Sequence, residues 1–468
     1  MKLIYFGAGF VGACSAAVMA DSGHDVLVYD IDKIKIQMLG SGDRDTIEKC
    51  LFEKGLGDML VRNTKRIVFS NQIDDVAGAV NEADAIFMCL PTPDKGTDGG
   101  SDLSFYENAA ADLSKILKTR NDSTQSKYVV IVNKSTVPIN MAERASEIFN
   151  FAGVINLGVV SNPEFLVEGK AVDGSLKPDR IVIGGKSERD FAVMRNVYQR
   201  FITSPTVKYI EVNPREAAAG KLLANYYLFS RLISTYEVMG RVAESFEGIE
   251  FEKLRDIVSS DDRIGKWGFY DSVYSGGSCF IKDSKSLKKQ LTETGANVEH
   301  VKRMLEGNDF QLNNFYARAK RDAGFNFADR KVTIMGAAFK RDTNDIRNSP
   351  AIKIIELLLS DKVKEIRIYD PAAMPMFQKL FDTAKDERFK IIKYFNTEEE
   401  ALSSSDACMI LTDWPKFRTL GETIKKSCPA PYLILDGRRM LAGQFDELSA
   451  LGYDIIAVGS PFYKGNKK

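Results

Sequence analysis

Short apolar runs alternate with longer amphipathic stretches in the first part of the chain. The run KLIYF leads directly into GAGFVG and a small-residue stretch, and the apolar run DVLVYD follows, ending at Asp30. This order predicts a strand, a glycine-rich turn, a helix and a second strand. Further strands are predicted at RIVFS, ADAIFMCL, KYVVIVN and INLGVVSN. Strands that alternate with helices predict a parallel sheet covered on both faces.

The pattern changes near residue 213. Asn213 is a capping residue, Pro214 suits the first helical position, and Glu216 stands three residues after the cap. These residues predict the start of a long helix that ends near Phe246. More helix is predicted through Leu254 and from 285 to 320, so the middle of the chain reads as all-helical.

Four apolar segments return after Lys331, namely KVTIMGAAFK, EIRIYDP, DACMILTDW and PYLILDGRR. Their sequences are similar to the apolar segments in the first part of the chain. They predict a second Rossmann-like domain, in which the glycine turn is degraded. The predicted fold is therefore α/β, with two Rossmann-like parallel-sheet domains joined by a long central helix and an all-helical section. The predicted domains are 1–205, 206–320 and 321–468.

Composition narrows the possible partners. The chain has 468 residues with 64 basic and 64 acidic side chains, so its formal net charge is zero. A neutral chain has no bulk attraction for nucleic acid or anionic lipid. Only two histidines are present, which disfavours a histidine-ligated metal site or a histidine acid or base. We therefore expect no metal and no nucleic-acid partner.

The cysteines and the first apolar run bear on the compartment. Six cysteines are scattered without a CxxC pair, which is typical of reduced thiols in a cytosolic protein. The stretch 3–20 carries no charge and resembles a signal peptide or a membrane span in length. Its glycines, however, divide it into strand, turn and helix. The sequence thus predicts a cytoplasmic protein without a membrane partner.

The glycine-rich turn is a candidate dinucleotide site. Gly7 would allow the tight turn, Gly9 the close approach of a pyrophosphate, and Gly12 the contact between helix and strand. Asp30 lies 23 positions after Gly7, where its carboxylate would accept hydrogen bonds from a ribose and repel a 2′-phosphate. This arrangement favours NAD over NADP. The alternative is a glycine turn that binds nothing.

Cys279 is a candidate nucleophile because it follows two glycines in SGGSCFIKD. If a helix begins there, Cys279, Lys282 and Asp283 share one face. A cation and a helix N-terminus both favour the thiolate, which is the reactive form of cysteine. The alternative is a small buried residue after a tight turn, and buried unreactive cysteine is common.

Two further segments carry polar residues at suggestive positions. Glu164 and Glu168 are four apart after Pro163, which predicts a helix start with both carboxylates on one face. The alternative is an ordinary acidic first turn. STVP at 135–138 follows a predicted strand, where hydroxyls face the ligand crevice of a parallel sheet, or else form a capping turn.

Lys221 and Asn225 are also four apart, in the apolar run AAAGKLLANYYLF. A lysine and an amide on one face of a buried helix need polar partners. Two interpretations stay open: a lysine that extends to solvent, or a lysine and amide that stabilise an oxyanion or a substrate.

Together these segments resemble the nucleotide-sugar 6-dehydrogenases, the UDP-glucose/GDP-mannose dehydrogenase family, and within it the branch that acts on UDP-glucose. The resemblance runs nearly end to end. Its motifs are GAGFVG with Asp30, LPTP, NKSTVP, SNPEFLVEG, LKPDRIVIGG, KLLAN, DDRIG, GGSCFIKD, AFKRDTNDIRNSP and DGRR.

The resemblance implies an NAD-binding domain, a helical dimerisation section and a UDP-sugar-binding domain. It also implies oxidation of a sugar C6 alcohol to a carboxylate, most closely UDP-glucose to UDP-glucuronate, with two NAD reduced in succession. Cys279 would form a thiohemiacetal and then a thioester, so that no aldehyde escapes. The expected partners are the UDP-sugar and a second copy of the chain.

The resemblance also assigns roles to residues. The catalytic set it implies is Cys279, Lys221, Asn225, Asp283, Glu164 and Thr136. Among these, Lys221 and Asn225 stabilise the oxyanion, and Glu164 handles proton transfer during hydrolysis. Asp283 assists deprotonation, with a water held near Thr136.

The implied binding residues form two groups. The cofactor-binding set is Gly7, Gly9, Phe10, Val11, Gly12, Asp30, Lys35, Thr92, Thr136, Glu168, Lys282 and Arg347. The substrate-binding set is Glu164, Phe165, Leu166, Glu168, Lys221, Asn225, Arg263, Gly276, Cys279, Phe339, Lys340 and Arg438. Arg263 is expected to reach across a dimer.

Some residues sort the branches of the family and others depart from its pattern. Lys282 is typical of the UDP-glucose and GDP-mannose branches and not of the N-acetylhexosamine branch. The loop 266–271, KWGFYD, is atypical, as are Tyr274 and Ser275 before the glycine pair. The hexose therefore stays open, with GDP-mannose, UDP-galactose or another UDP-hexose as alternatives.

Two other functions fit part of the sequence. A two-electron β-hydroxyacid dehydrogenase also has a Rossmann domain followed by long helices, but it needs neither the cysteine nor a third domain. An NAD-sensing regulatory or scaffold protein would account for the glycine turn and Asp30, but not for Lys221, Asn225 and CFIKD.

Overall fold

The computed structural model describes residues 1–96, 99–122 and 127–466. The chain divides into two compact units. The first comprises Met1–Ala224 and Lys285–Ala296, and the second comprises Asn225–Ser284 and Asn297–Lys468.

The first unit contains an eight-stranded sheet in the order β3-β2-β1-β4-β5-β6-β7-β8. Its strands are β1 (Lys2–Phe6), β2 (Asp25–Tyr29), β3 (Ile67–Ser70), β4 (Ala85–Met88), β5 (Val129–Asn133), β6 (Leu157–Ser161), β7 (Arg180–Gly184) and β8 (Lys208–Val212). All neighbouring pairs are parallel except β6 and β7, which meet antiparallel. The chain reverses its direction of winding between β1 and β4, which is where α/β sheets bind ligands.

Helices cover both faces of this sheet. They are α1 (Phe10–Asp21), α2 (Lys33–Leu39), α3 (Arg44–Leu51), α4 (Leu56–Arg62), α5 (Ile73–Ala79), α6 (Ser104–Lys118), α7 (Met141–Phe151), α8 (Ala171–Leu176), α9 (Glu188–Val197) and α10 (Gln199–Ile202). Alternate residues of a strand point to opposite faces. Accordingly Leu3 and Tyr5 belong to one apolar core, and Ile4 and Phe6 belong to the other.

The second unit contains the remaining strands and most of the remaining helices. Its six-stranded parallel sheet has the order β11-β10-β9-β12-β13-β14. The remaining helices of the chain are α11 (Pro214–Ile233), α12 (Gly240–Ser245), α13 (Phe251–Ser259), α14 (Phe280–Glu293), α15 (Glu299–Arg321), α16 (Pro350–Ser360), α17 (Met374–Leu380), α18 (Glu398–Leu402), α19 (Leu420–Ser427) and α20 (Phe445–Ala450). Of these, α11 and α14 each have residues in both units. The strands are β9 (Lys331–Met335), β10 (Glu365–Tyr369), β11 (Ile392–Tyr394), β12 (Ala407–Ile410), β13 (Tyr432–Asp436) and β14 (Tyr453–Ala457).

The predicted fold class is confirmed by the two parallel sheets with their helices, although four strands were missed. These are β7, β8, β11 and β14. Strand β8 lies at the sheet edge and is largely half-exposed, so it lacks an apolar run. Strand β11 has only three residues. Short or edge strands give little hydrophobic signal.

The long helix predicted from 213 to 246 is interrupted. Helix α11 ends at Ile233, and a π-helical segment, Ser234–Met239, separates it from α12. The Ser234 and Thr235 hydroxyls donate to the carbonyl oxygens four residues earlier, at 2.9 and 3.1 Å. Such side-chain bonds compete for helical carbonyls and distort helices.

The helix predicted to start at Pro163 is wrong. Residues 162–170 have no regular structure, and α8 begins at Ala171. Two backbone N–H groups near its start, those of Gly169 and Val172, donate to the buried carboxylate of Glu53 at 3.0 and 3.2 Å. That distant carboxylate, which the local sequence does not reveal, takes the role expected of a nearby cap.

Within the described ranges, no helix combines the length and hydropathy needed to cross a membrane.

Candidate active site

In the glycine turn after β1, two glycines have no room for a side chain and a third glycine has open space beside it. Gly7 has φ +101°, and a Cβ there would lie 2.3 Å from the Cys89 carbonyl oxygen. A Cβ at Gly12 would lie 1.9 Å from the Gly7 carbonyl oxygen, so both positions exclude a side chain. A Cβ at Gly9 would meet nothing within 4 Å. The turn therefore fits a pyrophosphate at the N-terminus of α1, which begins with Phe10 and Val11.

Asp30 lies at the end of β2, beside this turn. One carboxylate oxygen accepts the Ala8 N–H at 2.7 Å and the Lys35 ammonium at 3.2 Å, and the other accepts the Asp32 N–H at 2.9 Å. These bonds fix a negative charge where an adenosine ribose would lie. Lys35 is thus placed beside Asp30.

Replacing Asp30 with Ala is expected to weaken NAD binding about tenfold to a hundredfold, because bonds to a charged acceptor contribute about 1.5–3 kcal/mol each. Calorimetric titration with NAD measures this loss, and titration with UDP-glucose should give an unchanged affinity. Asp43→Ala is the matched control, because Asp43 also accepts a backbone N–H, at the start of α3. Unchanged NAD affinity in the Asp30 variant would remove Asp30 from the site.

The loops after β4 and β5 are joined to each other. The Thr92 hydroxyl donates to the Thr136 carbonyl oxygen at 2.9 Å, and the Ser135 hydroxyl donates to the Leu90 carbonyl oxygen at 2.7 Å. Both loops follow carboxyl ends of neighbouring parallel strands. STVP is therefore part of the ligand-facing edge of the sheet, and Thr92 and Thr136 lie together.

Glu164 forms a buried ion pair with Lys134. The Lys134 ammonium lies 2.8 Å from Glu164 Oε2, and the Phe165 N–H donates to Glu164 Oε1 at 2.9 Å. Burial by itself favours the neutral carboxyl, but the Lys134 ammonium holds the pKa of Glu164 below its ordinary value. Likewise burial opposes the charge of Lys134, yet the Glu164 carboxylate raises the pKa of that lysine. Glu164 is therefore an ionised carboxylate at neutral pH.

Lys134 was missed as a functional candidate. It stands in NKSTVP, next to the residues that were singled out, but the sequence gives no signal that it faces Glu164, thirty positions later.

Two cations lie close to the ring of Phe165. The Arg180 guanidinium carbon is 3.9 Å from the ring centroid, and the Lys221 ammonium is 5.1 Å from it. Lys221 is only 8% exposed, so the interpretation of a lysine that extends to solvent is wrong. Leu166 packs against the first unit's apolar core, and Glu168 is half-buried in the same loop. Arg180 is a second residue that the sequence did not single out.

Cys279 is exposed and directly precedes the fourteen-residue helix α14. Its carbonyl oxygen accepts the Asp283 N–H at 2.9 Å, which begins the helix. Gly276 packs so closely that a Cβ would lie 2.3 Å from the Asn348 carbonyl oxygen. The interpretation of Cys279 as a small buried residue is therefore wrong, and its thiol lies at a helix N-terminus as the nucleophile hypothesis requires.

Asp283 is 1% exposed and accepts two hydrogen bonds. Its Oδ2 accepts the Asn225 amide at 2.5 Å, and its Oδ1 accepts the Lys282 ammonium at 2.7 Å. The structure therefore brings three predicted site residues into one buried polar cluster. Asn225 has a polar partner, as a buried amide requires.

Replacing Asp283 with Asn is expected to destabilise the protein by about 1–3 kcal/mol, because an amide nitrogen replaces one oxygen that accepts a donor. Chemical denaturation measures this change, and activity per folded molecule should also fall. Asp112→Asn is the matched control, since Asp112 accepts the Lys115 ammonium at 2.8 Å but is exposed. An Asp283 variant as stable and active as the Asp112 variant would contradict the cluster's importance.

The basic residues predicted to bind substrate or cofactor in the second unit have definite partners. Arg347 donates to the Asp345 carboxylate at 2.6 Å, and the largely exposed Arg263 donates to that of Asp261 at 2.6 Å. Arg438 instead donates to the carbonyl oxygens of Phe339, Leu411 and Asp271 at 2.8, 2.9 and 3.3 Å.

Two further substrate candidates lie together. The Lys340 ammonium is 5.6 Å from the centroid of the Phe339 ring, and the Phe339 side chain packs against Gly276 and Gly277. Phe339 therefore contacts the segment that leads to Cys279. Among the described residues, no group of histidine, cysteine, aspartate or glutamate side chains is arranged to hold a metal ion.

A Rossmann sheet with this glycine turn and Asp30 defines a dinucleotide-binding protein. Three family models match the chain in order. The NAD binding domain of the UDP-glucose/GDP-mannose dehydrogenase family matches residues 1–202, its central domain matches 215–310, and its UDP binding domain matches 333–443.

Individual relatives match over nearly their full length. The UDP-glucose 6-dehydrogenase TuaD of Bacillus subtilis is 30% identical, covering 100% of this chain and 95% of the relative. That of Rattus norvegicus is 33% identical, covering 98% and 93%. A solved UDP-glucose dehydrogenase from Pyrobaculum islandicum superposes with a TM-score of 0.82 at 27% identity, covering 95% of each chain.

The chain belongs to the UDP-glucose/GDP-mannose dehydrogenase family. It is an NAD-dependent dehydrogenase of nucleotide sugars, which confirms the predicted family, cofactor and enzyme class. The scaffold and β-hydroxyacid alternatives are thereby set aside.

Proposed function

We propose that the chain oxidises the C6 alcohol of UDP-glucose to the carboxylate of UDP-glucuronate, reducing two NAD. The observation that carries this proposal is the exposed thiol of Cys279 at the start of α14, because a second oxidation needs a nucleophile to hold the aldehyde. The names of the full-length relatives in Bacillus and Rattus support UDP-glucose as the substrate.

The reaction balances as two hydride transfers and one hydrolysis. Two NAD, held in succession at the glycine turn and Asp30, would each supply one hydride acceptor, the first for the alcohol and the second for the thiohemiacetal. The Cys279 sulfur adds to the C6 aldehyde to form that thiohemiacetal, and loss of the second hydride leaves a thioester. Water then cleaves the C–S bond, giving the carboxylate and restoring the thiol.

The remaining catalytic residues serve charge and proton transfer in this proposal. Lys221 and Asn225 stabilise the developing oxyanion. Glu164 takes a proton from the hydrolytic water, which its ionised state allows. Asp283 and Thr136 assist the deprotonation of the alcohol. Glu168, Phe165, Leu166, Arg263, Gly276, Phe339, Lys340 and Arg438 bind the sugar nucleotide, and Thr92, Lys282 and Arg347 contribute to the cofactor site.

The proposal extends to assembly, domains and compartment. We propose a cytoplasmic homodimer with domains 1–205, 206–320 and 321–468. Exposed Tyr227, Val238 and Phe310 in the helical section support an interface there, because exposed apolar side chains often mark contacts between chains.

The test is NADH formation with UDP-glucose, UDP-galactose, UDP-N-acetylglucosamine and GDP-mannose in parallel. We expect UDP-glucose to give the highest kcat/KM and two NADH for each sugar consumed. A stoichiometry of one would contradict the thioester route. Preference for GDP-mannose or another UDP-hexose would reassign the substrate while leaving the cysteine chemistry in place.

A further inference from the structure

The first unit contains a small pocket of about 30 Å³ next to the Lys134–Glu164 pair. Its walls include Lys134, Glu164, Asn162 and Tyr198. Tyr198 is 4% exposed and lies in the turn that follows α9. Neither the reaction proposed above nor the sequence gives this tyrosine a role.

Tyr198 is connected to Glu164 by a chain of hydrogen bonds. Its hydroxyl donates to Asn162 Oδ1 at 2.5 Å, and the same oxygen accepts the Lys134 ammonium at 3.3 Å. Lys134 in turn lies 2.8 Å from Glu164 Oε2. Lys134 therefore bonds to Asn162 and Glu164, and it also interacts directly with the Tyr198 hydroxyl. A change at any of these partners alters how strongly Lys134 binds the others.

Asn162 is held rigidly, so it transmits the state of Tyr198 rather than turning away. Its amide group donates to the Val182 carbonyl oxygen at 3.0 Å, and its backbone N–H donates to the Asn133 carbonyl oxygen at 2.9 Å. With Oδ1 fixed, the Tyr198 hydroxyl takes up one of its two lone pairs and weakens its bond to Lys134, which leaves Lys134 bound mainly to Glu164. Burial raises the pKa of Tyr198, so this hydroxyl stays protonated and remains a donor.

We propose that Tyr198 and Asn162 are positioning residues, which hold the Lys134 ammonium on Glu164 and so keep that carboxylate ionised and oriented. The consequence for the reaction rests on the proposed function, in which Glu164 accepts a proton during thioester hydrolysis.

Several other groups act on Glu164 or line the same pocket from the surrounding elements. They are Lys221 on α11, Arg180 on β7, Tyr5 on β1, Cys14 on α1 and Cys89 after β4. Of these, Lys221 also favours the ionised carboxylate. Tyr198 therefore adds to the influence of several charged groups on Glu164, among which Lys134 favours the ionised carboxylate most strongly.

The test variant is Tyr198→Phe, which removes only the hydroxyl. Asn162 Oδ1 then competes more strongly for the Lys134 ammonium. The ion pair between Lys134 and Glu164 weakens as a result, and the pKa of Glu164 rises. We expect kcat with UDP-glucose to fall about tenfold at unchanged KM. The acid limb of the kcat–pH profile should move up by roughly 0.5–1 pH unit, the effect of one weakened hydrogen bond.

The matched control is Tyr106→Phe. Tyr106 is also fully buried, and its hydroxyl also donates to an asparagine side chain, that of Asn133. It has no bond to Lys134 or Glu164, so the acid limb should not move. A Tyr198 variant whose kcat and pH profile match those of the Tyr106 variant would overturn the positioning role.

A double-mutant cycle tests the same coupling without catalysis. The cycle compares the unfolding equilibrium constants of the wild type, Tyr198→Phe, Glu164→Gln and the double variant. We expect the constant of the double variant to differ at least about threefold from the value that the two single effects would give independently. In the corresponding cycle with Tyr106→Phe, the two effects should combine independently. If the wild-type protein does not oxidise UDP-glucose, the proposed function fails and this cycle alone decides the positioning role. Additivity in both cycles would overturn it.

Discussion

Replacing Cys279 with Ala is expected to lower UDP-glucuronate formation by at least about a thousandfold, because the variant has no sulfur to hold the aldehyde for the second oxidation. The affinity for NAD should not change, since the substitution leaves the glycine turn and Asp30 intact. Product formation followed by chromatography, together with NADH absorbance, measures both oxidations.

The control for this variant is Cys428→Ala. Cys428 is a free cysteine of the same unit but is buried in the core, where its thiol lies 3.4 Å from the Leu402 carbonyl oxygen. Its loss should cost stability rather than activity per folded molecule. Full turnover by the Cys279 variant would eliminate the thioester route and revive a two-electron dehydrogenase.

Replacing Lys134 with Met is expected to destabilise the protein by about 3 kcal/mol, because it leaves the Glu164 carboxylate without its partner. The Lys134 side chain is 4% exposed and that of Glu164 is 20% exposed, which places the cost at the lower end for a broken buried pair. Denaturant titration at neutral pH measures it. Activity should fall as well, because Glu164 loses the group that keeps it ionised.

The same pair predicts a pH dependence. In the wild type the pKa of Glu164 is lowered. The ion pair therefore stabilises the folded protein above the ordinary glutamate pKa, and this stabilisation is lost as pH falls through the lowered pKa. In the Lys134 variant burial raises that pKa, so lowering the pH neutralises the unpaired carboxylate. The stability difference between the two proteins should therefore narrow from about pH 7 towards about pH 4.

Lys127→Met is the matched control for the Lys134 variant. Lys127 stands just before β5, as Lys134 stands just after it, and it pairs with Asp84 while 46% exposed. An exposed pair contributes only about 0–1 kcal/mol. Equal losses in the two lysine variants would mean that burial of the Glu164 pair has no special cost.

The local pattern predicted the elements with strong periodicity and the residues with special backbone roles. Strand β1 was predicted within its observed bounds, and the glycines at 7, 9 and 12 have the distinct environments that a pyrophosphate turn needs. Both signals lie within a few adjacent residues. The prediction failed at Pro163 because the N–H groups near α8 are capped by Glu53, more than a hundred positions earlier.

The sequence by itself was enough to predict the two Rossmann-like sheets and the NAD turn with its acidic residue. It also supplied the cysteine, lysine and carboxylate side chains that are proposed to take part in the reaction. Only the tertiary structure decided that Cys279 is exposed, that Lys134 forms an ion pair with Glu164, and that the Asn225 amide donates a hydrogen bond to Asp283. The reason is that hydrogen-bond and ion-pair partners meet across strands and helices far apart in the chain. Their choice follows from packing and burial, which no local pattern records.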